Sequence, residues 1–365
     1  MEINPYLKLM ADKDASDLFF CTGTEPRLKI DGDIRSVGSD KLQPGDVDKL
    51  AQTIMSDEQK LEFRDVLEMN FAISLSGVGR FRVNVFRQRG ETSIVIRYIQ
   101  SEIPRIEEMN LPAKLEEIIM EKRGLILVVG ATGSGKSTSL AAMIGYRNRN
   151  SSAHILTIED PLEFIHHHEK SIVQQREVGI DTLSYENALK NALREAPDVI
   201  LIGEIRDMDT MKHAINYSET GHLCLATLHA NNANQALDRI LNFFPEVAHR
   251  QLLTDLSLNL KAVVSQRLLS RVGGGRVPAV EIMLNTPFIA ELITKGDIGG
   301  LKEAMAESAQ EGTVTFDQAL LELYRQGLIT MEDAIQNADS KNDFQLAVRM
   351  GEPDSDDDSA ELIMG

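Results

Sequence analysis

Hydrophobic and polar residues follow two different periods along this chain, and the change of period divides it. From Gly79 to Phe86 the sequence GRFRVNVF puts Phe81, Val83 and Val85 on one face and Arg80, Arg82 and Asn84 on the other. That two-residue period predicts a half-buried strand. TSIVIRYI follows after a turn at Arg89-Gly90, and PRLKIDGDIRSV reads as a hairpin through Asp31-Gly32. Upstream, MEINPYLKLMADKDASDLFF predicts a short amphipathic helix and then a strand. DVDKLAQTIMSDEQKLEFRDV has helical spacing with a Ser-Asp cap at its centre. Residues 1–103 are therefore expected to form an α+β domain around an antiparallel sheet.

Pro104 and Pro112 bracket RIEEMNL, which reads as a linker over 104–113. Beyond it the pattern changes. The apolar runs LILVV, HILTI, DVILIGE and HLCLATLH alternate with helical segments. Continuous apolar strands separated by helices predict a parallel sheet covered on both faces, an α/β domain over 114–345. From about residue 275 the chain reads as mostly helical, through TPFIAELITKG, LKEAMAESAQEG, TFDQALLELYRQG and TMEDAIQNA. Each of these segments ends near a glycine or starts at a threonine cap, so a helical subdomain is expected from about 285. Residues 346–365 read as an acidic, disordered tail containing GEPDSDDDSAELIMG.

Composition narrows the function. At 365 residues two domains are expected. The net charge of −18 weighs against a general nucleic-acid binder, which needs a positive surface. Cys21 and Cys224 are too few for a disulfide framework or a cysteine-rich zinc site. The longest apolar runs fall short of a membrane span, and the start lacks the layout of a secretory signal, so a cytoplasmic location is expected.

One stretch carries specific chemistry. LILVVGATGSGKSTSL opens from a buried strand into three glycines, a lysine and hydroxyls. Gly130 to Ser137 fits G-x-x-x-x-G-K-[ST] with a strand before it and a helix after it, the context a P-loop requires. Glycines let backbone N–H groups curl around an anion, and the helix start adds positive potential. Gly130, Ala131, Thr132, Gly133, Ser134, Gly135, Lys136, Ser137 and Thr138 are expected to bind ATP. Lys136 reaches the β- and γ-phosphates, and Ser137 ligates Mg2+.

Carboxylates follow the next two apolar runs. ILTIEDPLEF carries Glu159, Asp160 and Glu163, and DVILIGEIRD carries Glu204, Arg206 and Asp207. Ligand-facing residues lie at the C-terminal ends of strands in open parallel sheets. A carboxylate there holds magnesium or takes a proton from attacking water. The competing reading, helix capping, applies most to Asp160 and Asp207. His222 begins the third run and His229 ends it; His229 stands where it can sense a γ-phosphate or serve as a structural hydrogen-bonder. His166 to His168 are adjacent, so their rings point apart and do not suggest one metal ion.

Together these motifs resemble the secretion-type hexameric ATPases of the PilT/VirB superfamily. That family carries a Walker A loop, an Asp box, a Walker B strand ending in Glu and a His box. Here they look like GATGSGKST, ILTIEDPLEF, DVILIGEIRD and TGHLCLATLHANNA, in matching order from Gly130 to Ala233. The segment SDLFF…EPRLKIDGDI…GRFRVNVFRQRG is similar to the family's PAS-like domain. The resemblance implies an N-terminal PAS-like α+β domain followed by a RecA-like P-loop core with a helical C-terminal part. REVGIDTLSYENALKNALREAPDVILIGEIRD and LATLHANNANQALDRILNFFP favour the retraction branch of the type IV pilus ATPases, the PilT/PilU family. The extension and secretion ATPases generally carry an extra N-terminal domain and often a four-cysteine zinc insert. Main retraction ATPases carry an AIRNLIRE helix. The matching stretch here, FIAELITK (Phe288 to Lys295), lacks both arginines, which places the chain nearer to PilU and implies an accessory role.

The resemblance further implies a ring of six with ATP between neighbours. One subunit would supply Lys136, Ser137, Glu163, Glu204 and His229, with Ser137, Glu163 and Glu204 holding Mg2+, in part through water. Glu204 is expected as the base and Glu163 as a magnesium or water organiser, though the sequence does not rank the two. The neighbour's arginines would be Arg82 and Arg97, with Arg80, Arg87 and Arg89 competing for the role. Glu159, Asp160, Arg194, Arg206, His222 and Arg239 are expected near the site. The implied partners are a PilT-like ATPase and an inner-membrane platform protein at the inner face of the cytoplasmic membrane, with no stable nucleic-acid binding. Alternatives left open are a regulatory ring with little ATPase activity, a related secretion or DNA-uptake motor, and a small-molecule kinase.

Overall fold

The computed structural model describes residues 2–30, 32–100, 102–308 and 312–351. The chain folds as two compact units, and it crosses between them more than once. Of the described residues, the first unit holds those up to 103 and 156–196, and the second holds 104–155 and those from 197 on. The segment that begins within the second expected apolar run, HILTI, thus returns to the N-terminal unit.

The first unit begins with α1 (Asn4–Asp12), β1 (Asp17–Phe20), β2 (Arg27–Ile30) and β3 (Asp33–Ser36). Next come α2 (Asp46–Ile54), α3 (Asp57–Val66), β4 (Glu68–Leu75), β5 (Gly79–Gln88) and β6 (Glu91–Ile99). Ser56 separates the two helices. Its hydroxyl accepts from Gln59 N, and the Gln59 side chain returns to Ser56 N, a reciprocal capping box. The strands form an antiparallel sheet in the order β3-β2-β1-β6-β5-β4. The expected alternation holds: Phe81, Val83 and Val85 are fully buried and pack with Leu18, Phe20 and Ile94. β4 was not expected from the sequence, and its whole length pairs with β5 from Gly79 to Phe86.

The second unit begins with α4 (Lys114–Ile119), β7 (Gly124–Val129) and α5 (Lys136–Asn150). β8 (His154–Glu159) starts here and ends in the first unit, which also receives β9 (Ile172–Glu177) and α6 (Tyr185–Ala192). The second unit resumes with β10 (Val199–Ile202), α7 (Met208–Glu219), β11 (Leu223–Leu228), α8 (Ala233–Asn242), α9 (Glu246–Asn259), β12 (Leu260–Ser270) and β13 (Arg276–Leu284). The helices α10 (Pro287–Lys295), α11 (Leu301–Glu307), α12 (Phe316–Arg325), α13 (Met331–Asn337) and α14 (Lys341–Gly351) follow. Within this unit the strands run β13-β12-β7-β11-β10. β10, β11, β7 and β12 are parallel, and every residue of β7 and β11 is buried, as the apolar runs predicted.

Two expectations are corrected. The chain is not yet helical from 275, because Arg276–Leu284 is β13, antiparallel to β12. RVPAVEIML is apolar on both faces, and such a run does not distinguish a buried strand from a buried helix by period. The helical part starts at Pro287, capped by Thr286. At the other end, α14 runs past residue 346 into the segment expected to be tail. Phe344 and Val348 lie one helical turn apart and bury against Phe316 and Leu320. Roughly 2 kcal/mol per buried side chain favours the helix there over open chain. The acidic stretch from 352 lies outside the described residues.

Arg147 on α5 is 6% exposed, and its Nη1 donates to the carbonyls of Ile119 (2.6 Å) and Glu121 (2.7 Å). It therefore satisfies carbonyls at the C-terminal end of α4 that the helix leaves without partners. Arg147→Ala should destabilise the chain by about 3 kcal/mol, the cost of leaving buried carbonyls unpaired after losing charged hydrogen bonds. Urea unfolding followed by circular dichroism measures it, and an unchanged midpoint would refute the role.

Candidate functional site

β7 ends at Val129, and the chain then turns through Gly130 (φ 156°) and Gly135 (φ 88°) before α5 begins at Lys136. Those backbone angles strain any residue with a side chain. Space demands glycine as well. A Cβ at Gly130 would lie 2.6 Å from the Gln266 carbonyl oxygen, and one at Gly135 would lie 2.7 Å from Gln266 Nε2. The loop is thus pressed against β12. Lys136 Nζ donates to the Gly130 (2.7 Å) and Ala131 (2.9 Å) carbonyls, which hold the ammonium against the loop. Ser137 and Thr138 lie in the first turn of α5, where backbone N–H groups lack helical partners and attract anions. Ser134 is 6% exposed, and its hydroxyl has no partner.

The strands beside β7 bring a second group together. Glu204, just past β10, takes Arg206 Nε on one oxygen (2.7 Å) and faces His229 Nε2 with the other (3.2 Å). The Thr227 hydroxyl donates to the Gly203 carbonyl, and Ile205 N donates to Thr227 O (2.9 Å). These bonds lock the turn that carries Glu204 to the end of β11. His229, Arg239 and Ala131 line a hollow of about 420 Å³. Asp207 takes the capping role, accepting from Thr210 N (2.8 Å) at the start of α7. His222 is corrected. It precedes β11, whose length separates it from His229, ~23 Å at a strand's rise per residue. Its Nδ1 sits against Tyr217 O (3.2 Å) and Thr220 Oγ1 (3.1 Å), a local structural contact.

In the first unit, Glu159 ends β8 with its carboxyl enclosed. Thr157 Oγ1 donates to it at 2.7 Å. Desolvation pushes its pKa up to about 7 against the opposing hydrogen bonds from Thr157 and Gln175. Asp160 and Glu163 follow in an exposed turn, and no helix starts there for Asp160 to cap. Arg82 donates from Nε to the buried Glu177 carboxylate (3.2 Å) and from Nη2 to Leu162 O (2.8 Å). Burial pushes the Glu177 pKa up, while Arg82 and Arg80 pull it back. Arg97 is the register partner of Arg82 across β5 and β6 and donates to Asp17 Oδ1 (2.8 Å). Each arginine of this like-charged pair thus has its own carboxylate. Arg194 donates to Asn191 Oδ1 (3.3 Å).

Residues 2–274 match the family described as Type II/IV secretion system protein. The chain belongs to that family. It is 52% identical over 366 residues to the type IV pilus ATPase PilU of Pseudomonas aeruginosa, covering 100% of this chain and 96% of the relative. It is 41% identical over 344 residues to the PilT retraction ATPase of the same organism, covering 94% of this chain and 100% of the relative. Among solved structures, the pilus retraction motor PilT with bound ADP superposes with a TM-score of 0.88 at 41% identity, covering 95% of this chain and 99% of that one. The ATPase DotB of Legionella pneumophila, at 23% identity and a TM-score of 0.73, shares the fold.

In this PilT/PilU-type ATPase the sequence reading missed the residues behind the loop. Gln266 lies inside the apolar run KAVVSQRLLS and accepts from the Ser139 hydroxyl at 2.7 Å, both side chains buried. Glu281, inside the equally apolar β13, accepts from Ala233 N (2.9 Å) and Ser265 Oγ (3.0 Å) and fixes the first turn of α8. Burial pushes its pKa up. Glu281, the lone polar residue inside RVPAVEIML, was an available signal; Gln266 stands between Ser265 and Arg267 and gave none. Arg267 packs over the Phe316 ring (3.9 Å) and pairs with Asp339 (2.7 Å), so β12 is also tied to the C-terminal helices. Among the described residues no three or more His, Cys, Asp or Glu side chains gather as a resident metal site. The oxygen donors Ser137 and Glu204 suit magnesium carried in by a nucleotide, which needs few protein ligands.

The raised Glu159 pKa fixes a sign. The folded chain keeps a proton that the unfolded chain releases between its ordinary 4.5 and about 7, so stability falls as pH rises through that window and is level above it. Glu159→Gln should therefore raise the melting temperature at pH 8 and change it little at pH 5. Equal shifts at both values would contradict the assignment.

Proposed function

We propose that this chain is an ATP-hydrolysing motor of type IV pilus retraction that works as an accessory to a main, PilT-like retraction ATPase. The observation that carries the reading is the loop from Gly130 to Ser137, formed with Lys136 held against it, in a chain 52% identical to a pilus ATPase along its whole length. A loop of this form wraps the β- and γ-phosphates of ATP, with Lys136 as a point charge on them. Ser137 and Glu204 would hold Mg2+, in part through water, with Glu163 the further ligand this reading calls for, and the ion would supply positive charge against the phosphates. Glu204 accepts a proton from the attacking water, whose oxygen bonds to the γ-phosphorus as the bond to the bridging oxygen breaks. Its contacts with Arg206 and His229 orient that carboxylate.

The subunits assemble as a homohexamer, with ATP between neighbours. Arg82 and Arg97 reach the neighbour's phosphates, exchanging Glu177 and Asp17 for them, and their permanent forked charge suits phosphate. The ring docks on an inner-membrane platform protein at the inner face of the cytoplasmic membrane. The net charge of −18 supports no stable nucleic-acid binding. The accessory assignment rests on α10, where FIAELITK keeps the helix without the arginines of the main retraction ATPases. The same helix favours a second reading, a regulatory ring with little turnover of its own.

Purified chain should hydrolyse ATP, Glu204→Gln should bind ATP and lose at least about 100-fold in turnover, the scale of a lost general base, and Lys136→Ala should lose binding. Negligible turnover in the unsubstituted chain selects the regulatory ring. In cells with this as the sole retraction-type ATPase, labelled pili should not retract. Restoring the main ATPase should give retraction stronger than the main ATPase alone. Retraction by this chain alone would overturn the accessory role.

A further inference from the structure

Gln266 meets the nucleotide loop at both of its ends, with its backbone at one and its side chain at the other. Its backbone is fixed by β12, paired to Val280 of β13, while Ser265 next to it pairs with Val129 at the end of β7. Its carbonyl oxygen crowds Gly130, where the loop leaves β7. Its Nε2 crowds Gly135, where the loop enters α5. Its Oε1 accepts from Ser139 one turn further along α5, at 2.7 Å. Gln266 is 2% exposed and Ser139 is 1% exposed, so water does not replace either partner. An amide is the group that this geometry calls for. One end accepts from the buried hydroxyl, and the planar linkage then sends the other end toward Gly135.

We propose that Gln266 is a positioning residue for nucleotide binding, holding the two ends of the loop at the separation that lets its N–H groups converge on phosphate. It rests on the nucleotide-binding reading above and acts through the loop. A loop already held in its bound form loses less conformational freedom when phosphate arrives, so binding is tighter. Ser139 is the other half of the device. Without an acceptor its hydroxyl is a buried orphan, and α5 is free to shift against β12.

Gln266→Met keeps the length and volume of the side chain and removes both polar ends. Ser139→Ala removes the bond from the other side. Each, made in the full chain, should raise the dissociation constant for ADP about tenfold, the effect of one lost buried hydrogen bond. The KM for ATP should rise in proportion, with kcat changing less than twofold. The double variant should bind no more weakly than the weaker single variant, because both remove one bond. ADP affinity unchanged in Gln266→Met despite a lower melting point would overturn the proposal, as would two effects that multiply in the double variant. If Gln266→Met does not fold, unchanged ADP affinity in Ser139→Ala overturns it alone. Failure of the unsubstituted chain to bind ADP would sink the nucleotide reading itself, and this inference with it.

Discussion

The close approach of the backbone at Gly130 and Gly135 to β12 is the constraint on which the second unit turns. It requires β12 to lie beside β7 in a fixed register, since a shift by one residue would exchange Gln266 for the guanidinium of Arg267. That register in turn requires β7 to be a central strand, buried on both faces and paired with β11 on its other side. Once it is set, the ends of β7, β10 and β11 lie along one edge. The loop, Glu204 and His229 follow from that alignment. The apolar content of the strands supplies the stability, and the glycines translate it into a shape that fits an anion.

Charge is handled differently in the two units. In the second, a carboxylate is left partly open and flanked by two nitrogen partners, Arg206 and His229 on Glu204. In the first, the arginines of β5 and β6 stand in register and are each satisfied by a buried or nearly buried carboxylate. Two like charges directly opposite one another on a sheet repel, and the acids Glu177 and Asp17 relieve this. Glu177 keeps one oxygen without a partner even so.

Much of this is legible in the sequence. The alternation around Phe81, the caps at Ser56, Thr315 and Thr330, and the loop from Gly130 each depend on neighbours within a few positions of the chain. What escaped depends on distant partners. β13 and β4 are strands because another strand lies beside them. Gln266 and Glu281 matter because α5 and the first turn of α8 arrive against them. His222 and His229 look equivalent in TGHLCLATLH, and only the direction of β11 tells that one lies at the loop end of the sheet. The return of residues 156–196 to the first unit has no local signature, because nothing in the composition changes where the chain crosses over.

The two cysteines occupy opposite chemical environments. Cys224 is the second residue of β11 and has no exposed surface, and burial pushes its thiol pKa up, so it resists alkylation while the second unit is folded. Cys21 is half-buried in the first unit, beside Ser93 (3.4 Å). The native chain therefore carries a built-in pair of clocks. Modification of Cys21 reports access to the folded first unit, while modification of Cys224 reports the opening of the sheet that holds the nucleotide loop.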